Sequence, residues 1–370
     1  MSKVLGILNF EPSYVKVAGL EDYRPISATS ILGRYRVIDF MLSNFTNSGI
    51  DSIKVHIKNR PRSLVEHISR TSYNINSKNG KIHLLHGEKE YNNEFYNNDL
   101  QAFATYMEFV DVENPSYVVI APSHFIFKQD FSEILDYHIQ SKNDITILYQ
   151  NVTDSDQNYL MCDVLSIDEH KRVTEFHKNR GKYKNGAISL ETYVMDIITF
   201  KQLVEEGTAT SSLYSLSDIV ADCVRAMKIG AYQHRGYCTC VSTLKAYYDA
   251  NMTIRREKEL TKLINNDWPI YTMTNDSCPT LYEDGAKVTN SIVANGCQIE
   301  GTVINSVIGR NVIVKKGAVI KDSIVLPDTF IDKNVRLDCA VVDRLAIVTH
   351  VKDLTGTKDK PIYIARGDRI

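Results

Sequence analysis

The chain has 370 residues, of which 43% are hydrophobic and 24% charged, and it carries a formal net charge of −2. This composition excludes a disordered or fibrous chain, and the near-neutral charge excludes a surface-wide basic field that would attract nucleic acid. The length predicts two domains, because a single hydrophobic core usually stops growing at ~250–300 residues.

The absence of membrane-span, signal-peptide and disulfide patterns predicts the cellular compartment. No apolar run approaches the ~18 residues of a membrane span, and the short apolar start does not fit a signal peptide. The seven cysteines are scattered without C-x-x-C pairs, a pattern typical of free thiols in a reducing cytoplasm. We therefore expect a cytoplasmic protein that contacts neither a membrane nor nucleic acid.

Residues 3–251 alternate apolar runs with amphipathic stretches. Helical apolar spacing occurs at residues 40–47 and 63–68. The candidate buried strands are residues 4–8, 52–57, 117–121 and 145–149. This alternation predicts an α/β domain with βαβ units, a parallel sheet, and a ligand crevice at the carboxyl ends of its strands.

Residues 252–286 form a predicted linker that contains the only tryptophan, Trp268. From residue 287 to residue 370, apolar residues recur with a period of six: Ile308, Val314, Ile320 and Leu326 in one series, Val312, Ala318, Ile324 and Phe330 in another. This period fits neither a helix nor a plain strand, and it predicts a hexapeptide β-helix of short parallel strands. A run of hairpins is the alternative, although hairpins need no shared phase.

Short motifs follow one another along nearly the whole chain. They are RYRVIDF at 34–40, NSGI at 47–50, WPI at 268–270, DSIVLP at 322–327 and VVDR at 341–344. In these motifs the chain resembles the bacterial ADP-glucose pyrophosphorylases, the glucose-1-phosphate adenylyltransferases of glycogen biosynthesis. The resemblance implies a Rossmann-like nucleotidyltransferase domain at 1–251, a C-terminal left-handed parallel β-helix at 287–370, and a tetrameric assembly.

The chain departs from the family pattern at the phosphate-binding loop. The family has a G-G-x-G-x-R-L loop after the first strand, whereas this chain has NFEPSY at residues 9–14. The segment contains no glycine, its Pro12 lacks an N–H group, and Glu11 brings a negative charge. Each change opposes the binding of phosphate groups.

Both metal-binding aspartates that the resemblance implies are also missing. Ser123 stands at the Asp of the G-D-H motif, and Cys240 at the Asp of the W-x-D-V-G-T motif. Because Mg²⁺ prefers hard, charged oxygen ligands, we expect no catalytic residue and no metal on this chain. Cys238 and Cys240 read as buried free thiols, and Ser123 with His124 does not fit a nucleophile and its base, since adjacent strand residues point to opposite faces.

The sugar-phosphate site implied by the resemblance survives only in part. Asn179 replaces the Lys of the F-x-E-K-P motif, and Glu191 replaces the Gly of S-x-G-x-Y, between the matching Ser189 and Tyr193. We treat Asn179, Ser189 and Tyr193 as remnants of that site. A carboxylate at position 191 would repel a hexose phosphate.

Arg24, Arg36 and Arg70 match positions that line an anionic effector site between the two domains of related enzymes. The planar guanidinium group binds phosphate through two hydrogen bonds, which suits this role. Ordinary surface or structural arginines are the alternative. On the β-helix side, Arg336, Lys315, Lys316 and Lys321 are further candidate contacts.

These departures favour a regulatory or structural subunit, similar to the non-catalytic GlgD-type partner. Such a subunit would need no cofactor, would join a catalytic subunit that binds Mg²⁺ in a hetero-oligomer, and would respond to an anionic metabolite. The alternative is an active sugar-phosphate nucleotidyltransferase with unusual ligands: Asp39, Asp99 or Asp130 for the metal and Lys16 for phosphate. A hexapeptide-repeat acyltransferase fits less well, because His350 lies beyond the periodic segment.

Overall fold

The computed structural model describes residues 3–17, 19–76, 80–86 and 98–370. Among these residues, no helix combines the length and the apolar character that crossing a membrane requires. The strands of the N-terminal domain are β1 (Val4–Asn9), β2 (Ser30–Ile31), β3 (Tyr35–Arg36), β4 (Ser52–Ile57), β5 (Ile82–His86), β6 (Tyr117–Pro122), β7 (Phe125–Phe127), β8 (Ile145–Val152), β9 (Asp163–Ile167), β10 (Val173–Lys178), β11 (Gly186–Asp196), β12 (Ile229–Gln233) and β13 (Cys238–Cys240). The helices are α1 (Val37–Asn47), α2 (Arg62–Ser69), α3 (Asp99–Thr105), α4 (Met107–Glu113), α5 (Phe131–Ser141), α6 (Ile197–Thr210), α7 (Leu216–Asp222), α8 (Leu244–Ile254) and α9 (Glu257–Leu263), with short 3-10 turns at Ile26–Ala28 and Cys223–Arg225.

The large sheet confirms the four predicted strands, which are β1, β4, β6 and β8. Strand β1 pairs in parallel with β4 and β6, and β4 pairs in parallel with β5. The predicted parallel sheet is present in β1, β4, β5 and β6, but the sheet as a whole is mixed, because β11 runs antiparallel to both β6 and β8. It enters the sheet after the β9–β10 hairpin and not after a crossover helix, so its direction is reversed.

Helix α1 is buried over nearly its whole length and anchors the domain. Asp39, in its first turn, accepts a hydrogen bond from the Arg36 backbone N–H at 2.8 Å, which closes the helix N-terminus. The other Asp39 oxygen accepts bonds from His67 Nε2 at 2.6 Å and from the Tyr73 hydroxyl at 2.9 Å. This network ties α1 to α2 and to the segment that follows α2.

The C-terminal domain is a stack of coils with three faces, and each face is a sheet of parallel strands. Strands of the first sheet begin at residues 281, 298, 313, 330 and 347, a spacing of 15 to 17 residues per coil. This arrangement bears out the predicted hexapeptide domain and is consistent with a left-handed β-helix. The strands are β14 (Leu281–Tyr282), β15 (Lys287–Thr289), β16 (Ile292–Val293), β17 (Gln298–Ile299), β18 (Thr302–Ile304), β19 (Val307–Ile308), β20 (Ile313–Val314), β21 (Val319–Lys321), β22 (Ile324–Val325), β23 (Phe330–Ile331), β24 (Arg336–Asp338), β25 (Ala340–Val342), β26 (Ile347–Val348), β27 (Asp353–Thr355) and β28 (Ile362–Ile364).

The last corner of the stack carries an extra loop. Residues 356–361 separate β27 from β28, whereas Cys339 alone separates β24 from β25 one coil below. Hydrogen bonds close the neck of the loop: Gly356 N–H donates to the Asp338 carbonyl at 2.8 Å, and Ile362 N–H donates to the Cys339 carbonyl at 3.1 Å. The strands on both sides of the loop therefore keep their places in the stack.

The two domains pack tightly against each other. An apolar cluster at their junction joins Val37 and Tyr247 of the first domain to Leu326 and Val341 of the second. Gly33, with a φ of +74°, lies so close to the β-helix that a Cβ atom there would sit 2.7 Å from the Ile308 carbonyl oxygen. The β-helix is thus a fixed part of one surface and not a loosely tethered module.

Candidate functional site

Strands β1 and β6 end side by side, and Ser123, one of the two positions where the family pattern has a metal-binding aspartate, directly follows β6. The Ser123 N–H group donates to the carbonyl of Asn9, the last residue of β1, at 3.0 Å. The Ser123 hydroxyl lies 3.4 Å from Glu11 Oε2, while Glu11 Oε1 accepts a bond from the Ile26 N–H at 3.1 Å. Burial raises the pKa of Glu11. Glu11 therefore places a carboxyl group directly beside Ser123.

The Tyr14 side chain contacts three groups from distant parts of the chain. Its hydroxyl donates to Glu191 Oε1 at 2.5 Å, and it lies 3.3 Å from His124 Nε2 and 3.5 Å from Cys162 Sγ. Burial raises the pKa of Tyr14 well above its usual value, so the phenol stays protonated at neutral pH. We call Glu11, Tyr14, Ser123, Glu191 and Cys240 the strand-end cluster.

Glu191 adopts a backbone conformation that favours glycine. Its φ is +47°, and it sits in a bulge of β11 between Ser189 and Thr192. A non-glycine residue pays about 1–2 kcal/mol for this conformation. This backbone strain occurs where the Glu191 side chain accepts a hydrogen bond from Tyr14, so the strained backbone positions the carboxyl group for that contact.

The strand-end cluster does not fit Mg²⁺. Cys240 Sγ lies 3.9 Å from Cys162 Sγ, and burial raises the pKa of the Cys240 thiol well above its usual value, so it stays neutral. Throughout the part of the chain that the structure describes, no three His, Cys, Asp or Glu residues are placed to hold a metal ion. A neutral thiol and a hydroxyl cannot replace the hard, charged oxygens that Mg²⁺ prefers.

Asn179 and Ser189, two of the predicted remnants of a sugar-phosphate site, form hydrogen bonds within the protein. The Asn179 side-chain amide donates to the carbonyl groups of Ser155 at 2.8 Å and Tyr159 at 2.9 Å, and its oxygen accepts from the Gly181 N–H at 3.0 Å. The Ser189 hydroxyl accepts from the Glu191 N–H at 3.2 Å, and Tyr193 is buried. Asn179 thus holds a loop in place.

The three aspartates considered as alternative metal ligands are also engaged, each at the start of a different helix. Asp39 closes α1, and Asp130 accepts a bond from the Ser132 N–H at the start of α5 at 2.8 Å. Asp99 accepts bonds from Asn9 Nδ2 at 2.9 Å and from the Leu216 N–H at 3.0 Å. Lys16 is exposed.

The Glu191 carboxyl group predicts a pH-dependent stability. Burial raises its pKa from an ordinary value of 4.5 to about 7. At pH values between 4.5 and about 7, Glu191 is deprotonated in the unfolded chain but protonated in the folded chain. The free energy of unfolding should therefore fall as the pH rises through this range and level off above it. The loss is on the order of 3 kcal/mol.

Urea denaturation at pH 5 and pH 8 measures this effect. Glu191→Gln, which keeps an acceptor for Tyr14, should make the protein less sensitive to pH and more stable at pH 8. Glu205→Gln, on an exposed face of α6, serves as the matched control. An equal dependence on pH in both variants would contradict the role assigned to Glu191.

A second candidate site lies between the domains. A cavity of about 100 Å³ is lined by five arginines, Arg24, Arg34, Arg36, Arg310 and Arg344, which we call the arginine cavity. Two aspartates offset part of this charge: Asp343 lies 2.5 Å from Arg24 Nη2, and Asp328 lies 2.8 Å from Arg344 Nη2. Burial, together with the neighbouring Arg344, lowers the pKa of Arg36 to about 10. The cluster retains an excess of positive charge.

The structure brings Arg24 and Arg36 together in this cavity, but it places Arg70 outside the lining, paired with Glu66 at 3.3 Å. The four β-helix candidates also lie elsewhere; Lys315, for example, pairs with Glu300 at 2.6 Å. Three arginines of the cavity, Arg34, Arg310 and Arg344, were not predicted as anion-binding residues. Arg34 and Arg344 belong to the motifs RYRVIDF and VVDR. Those motifs were the signal that could have found them.

Comparison with known proteins agrees with the two domains. Residues 23–257 match the nucleotidyl transferase family, and residues 280–356 match the GlmU-like C-terminal hexapeptide family. The chain is 32% identical over 290 residues to a glucose-1-phosphate adenylyltransferase of Mycoplasma mobile, covering 76% of this chain and 75% of that protein. It is 32% identical over 298 residues to the enzyme of that name from Clostridioides difficile (78% and 76% covered), and 29% identical over 344 residues to that from Bacillus cytotoxicus (90% of each).

Proposed function

The chain belongs to the glucose-1-phosphate adenylyltransferase family, and on that premise we propose that it is a non-catalytic regulatory subunit of such an enzyme. It would join a catalytic relative in a hetero-oligomer, a tetramer in the simplest case, without a cofactor of its own. Mg²⁺ would bind to the catalytic partner. The relatives transfer an adenylyl group from ATP to glucose 1-phosphate, and the complex would perform that reaction through the partner.

The observation that carries this proposal is the contact between Tyr14 and Glu191. Adenylyl transfer depends on positioning the phosphates and on cations that neutralise their charge. Here the Tyr14 phenol is bound to Glu191, and the carboxyl groups of Glu11 and Glu191 add negative charge instead of positive charge. Because side chains satisfy one another throughout the strand-end cluster, a triphosphate would have to break those contacts before it could bind.

The arginine cavity would be the site at which an anion regulates the complex. A phosphate group between Arg34, Arg36 and Arg310 would relieve the repulsion among the guanidinium groups that line this small cavity. The cavity is lined by both domains, so an anion there would stabilise one arrangement of the domains over others. A subunit that responds in this way can change the activity of its partner through their interface.

The decisive experiment is an assay of ADP-glucose formation from ATP, glucose 1-phosphate and Mg²⁺. It compares this chain alone, the catalytic subunit of the same organism alone, and the co-expressed pair. We expect no turnover from this chain and an altered rate or altered response to inorganic phosphate in the pair. Turnover by this chain alone would support the alternative, an active sugar-phosphate nucleotidyltransferase with unusual metal ligands.

The same assay tests the arginine cavity. Arg34 is exposed, stacks on Tyr35 at 5.3 Å and lines the cavity, so Arg34→Ala should leave the fold intact. In the pair, this variant should need about tenfold more inorganic phosphate for a half-maximal effect, the loss typical of one charge-assisted hydrogen bond. Arg70→Ala, an exposed arginine outside the cavity, is the matched control. Equal responses of the two variants would remove the cavity from the proposal.

A further inference from the structure

A groove of about 800 Å³ runs along the edge of the large sheet. It lies between helix α5, the edge strand β12 with the loop that follows it, the end of α9 and the linker. Its wall includes Tyr137, Tyr149, Tyr232, Glu133, Arg235 and Trp268, which we call the tyrosine groove. It shares no lining residue with the arginine cavity. A volume of ~300–1,000 Å³ is typical of sites that bind small molecules.

The groove presents aromatic rings in fixed positions. The rings of Tyr137 and Tyr232 meet edge to face, with their centroids 5.3 Å apart and their planes at 66°. The Tyr137 hydroxyl lies 3.4 Å from the Ala231 carbonyl oxygen of the edge strand. Trp268 is held by a bond from its Nε1 to Asn44 Oδ1 at 3.0 Å, which fixes the indole without using the groove. These rings offer apolar surface beside polar tips.

Charges of both signs meet in the same groove. Its lining contains the cations Lys128, Lys171, Arg235 and Lys262 together with the carboxylates Asp130 and Glu133. The Tyr232 hydroxyl lies 3.4 Å from Glu133 Oε2. Burial raises the pKa of Tyr232, the carboxylates of Glu133 and Asp130 raise it further, and Arg235 lowers it. The four cations outnumber the two carboxylates, but Lys262 also pairs with Glu259 at 3.1 Å and Lys128 lies over the Trp268 ring. An anionic ligand would still face the two carboxylates, and a cationic ligand would face the remaining cations.

We propose that the tyrosine groove binds a neutral oligosaccharide. Sugar rings present apolar C–H faces that pack on aromatic rings, and their hydroxyl groups both donate and accept hydrogen bonds. The carboxylates, the amines and the guanidinium group along the wall can each form hydrogen bonds with such hydroxyls. A purely apolar ligand would instead leave these polar groups without partners. This inference goes beyond the proposed regulatory role and does not depend on it.

The groove carries its own reporter, because Trp268 is the only tryptophan of the chain. Its fluorescence is followed while the whole chain is titrated with linear gluco-oligosaccharides of six or seven units, in α-1,4-linked and β-1,4-linked forms. Binding of either form should give a saturable change in emission. No saturable change with either form would overturn the proposal.

Two variants assign the signal to the groove. Tyr232→Ala removes one of the paired rings and should weaken binding of the oligosaccharide at least about tenfold, as expected for loss of a packed aromatic contact. Arg235→Ala, an exposed position, is the second variant in case Tyr232→Ala does not fold. Tyr183→Ala, at an exposed tyrosine outside the groove (66% exposed), should bind like the parent protein. Unchanged binding by both groove variants would place the sugar elsewhere and overturn the proposal.

Discussion

Replacing Asp343 with asparagine should lower the free energy of unfolding by about 3–5 kcal/mol, the usual cost of removing one partner of a buried ion pair. Asp343 is fully buried and lies 2.5 Å from Arg24 Nη2, in a pair that joins the two domains. It also accepts bonds from the Tyr363 hydroxyl at 2.9 Å and the Arg344 N–H at 2.6 Å. Asparagine can keep part of these contacts, so the variant isolates the charge that offsets Arg24 and its neighbouring arginines.

The loss is measured by urea denaturation, with hydrogen exchange of the domain junction as a local readout. Asp328→Asn is the matched control, since Asp328 pairs with Arg344 at 2.8 Å but is about one-third exposed; we expect it to lose no more than ~1 kcal/mol. Replacing both members of the buried pair with apolar residues, Arg24→Met with Asp343→Leu, should recover most of the stability. Similar small losses for Asp343→Asn and Asp328→Asn would contradict this account of the junction.

Restoring an aspartate at position 123 should not restore catalysis. In the Ser123→Asp variant, the new carboxylate would lie next to Glu11, whose Oε2 is 3.4 Å from the present hydroxyl. The contact between Tyr14 and Glu191 would remain, and Cys240 would still lack a charged oxygen. We expect no formation of ADP-glucose and a loss of stability on the order of 3 kcal/mol at pH 8, since a second charge is buried beside an acidic group.

This loss should shrink at pH 5. Burial already raises the pKa of Glu11, and a neighbouring carboxylate raises it further, so one of the two groups takes up a proton as the pH falls. In the Ser123→Asn variant the new side chain has nearly the same size as aspartate but no charge, so its stability should not recover in this way at pH 5. Substantial turnover by Ser123→Asp alone would mean that the active site lies elsewhere in the chain.

The sequence was most informative where structure depends on local periodicity. The six-residue series through Ile308 and Val314 predicted the coils, because each short strand pairs in parallel with its neighbour one coil away. The runs at 52–57 and 117–121 predicted β4 and β6 in the same way. The antiparallel direction of β11 was missed, since residue spacing carries no information about the direction in which a strand enters the sheet.

The candidate sites could be predicted only in part, because they join residues that are far apart in the chain. Motif comparison located Ser123 and Cys240, and it noted Glu191. It could not foresee that Tyr14 crosses the cluster to reach Glu191, a contact over 177 positions. Likewise, Arg24 was found by motif, but its partner Asp343 lies 319 positions away. Such pairings depend on how the domains pack, which no local pattern encodes.

The closed neck of the loop at residues 356–361 has a consequence for protein engineering. Because bonds from Gly356 and Ile362 to the coil below seal its base, the exposed residues 357–360 can change in length and composition without disturbing the stack. A foreign peptide grafted there would be displayed outward from a rigid scaffold while the strands keep their register. An insertion inside a strand would instead shift every apolar side chain beyond it within that coil. The corners of the β-helix are therefore where this architecture tolerates added sequence.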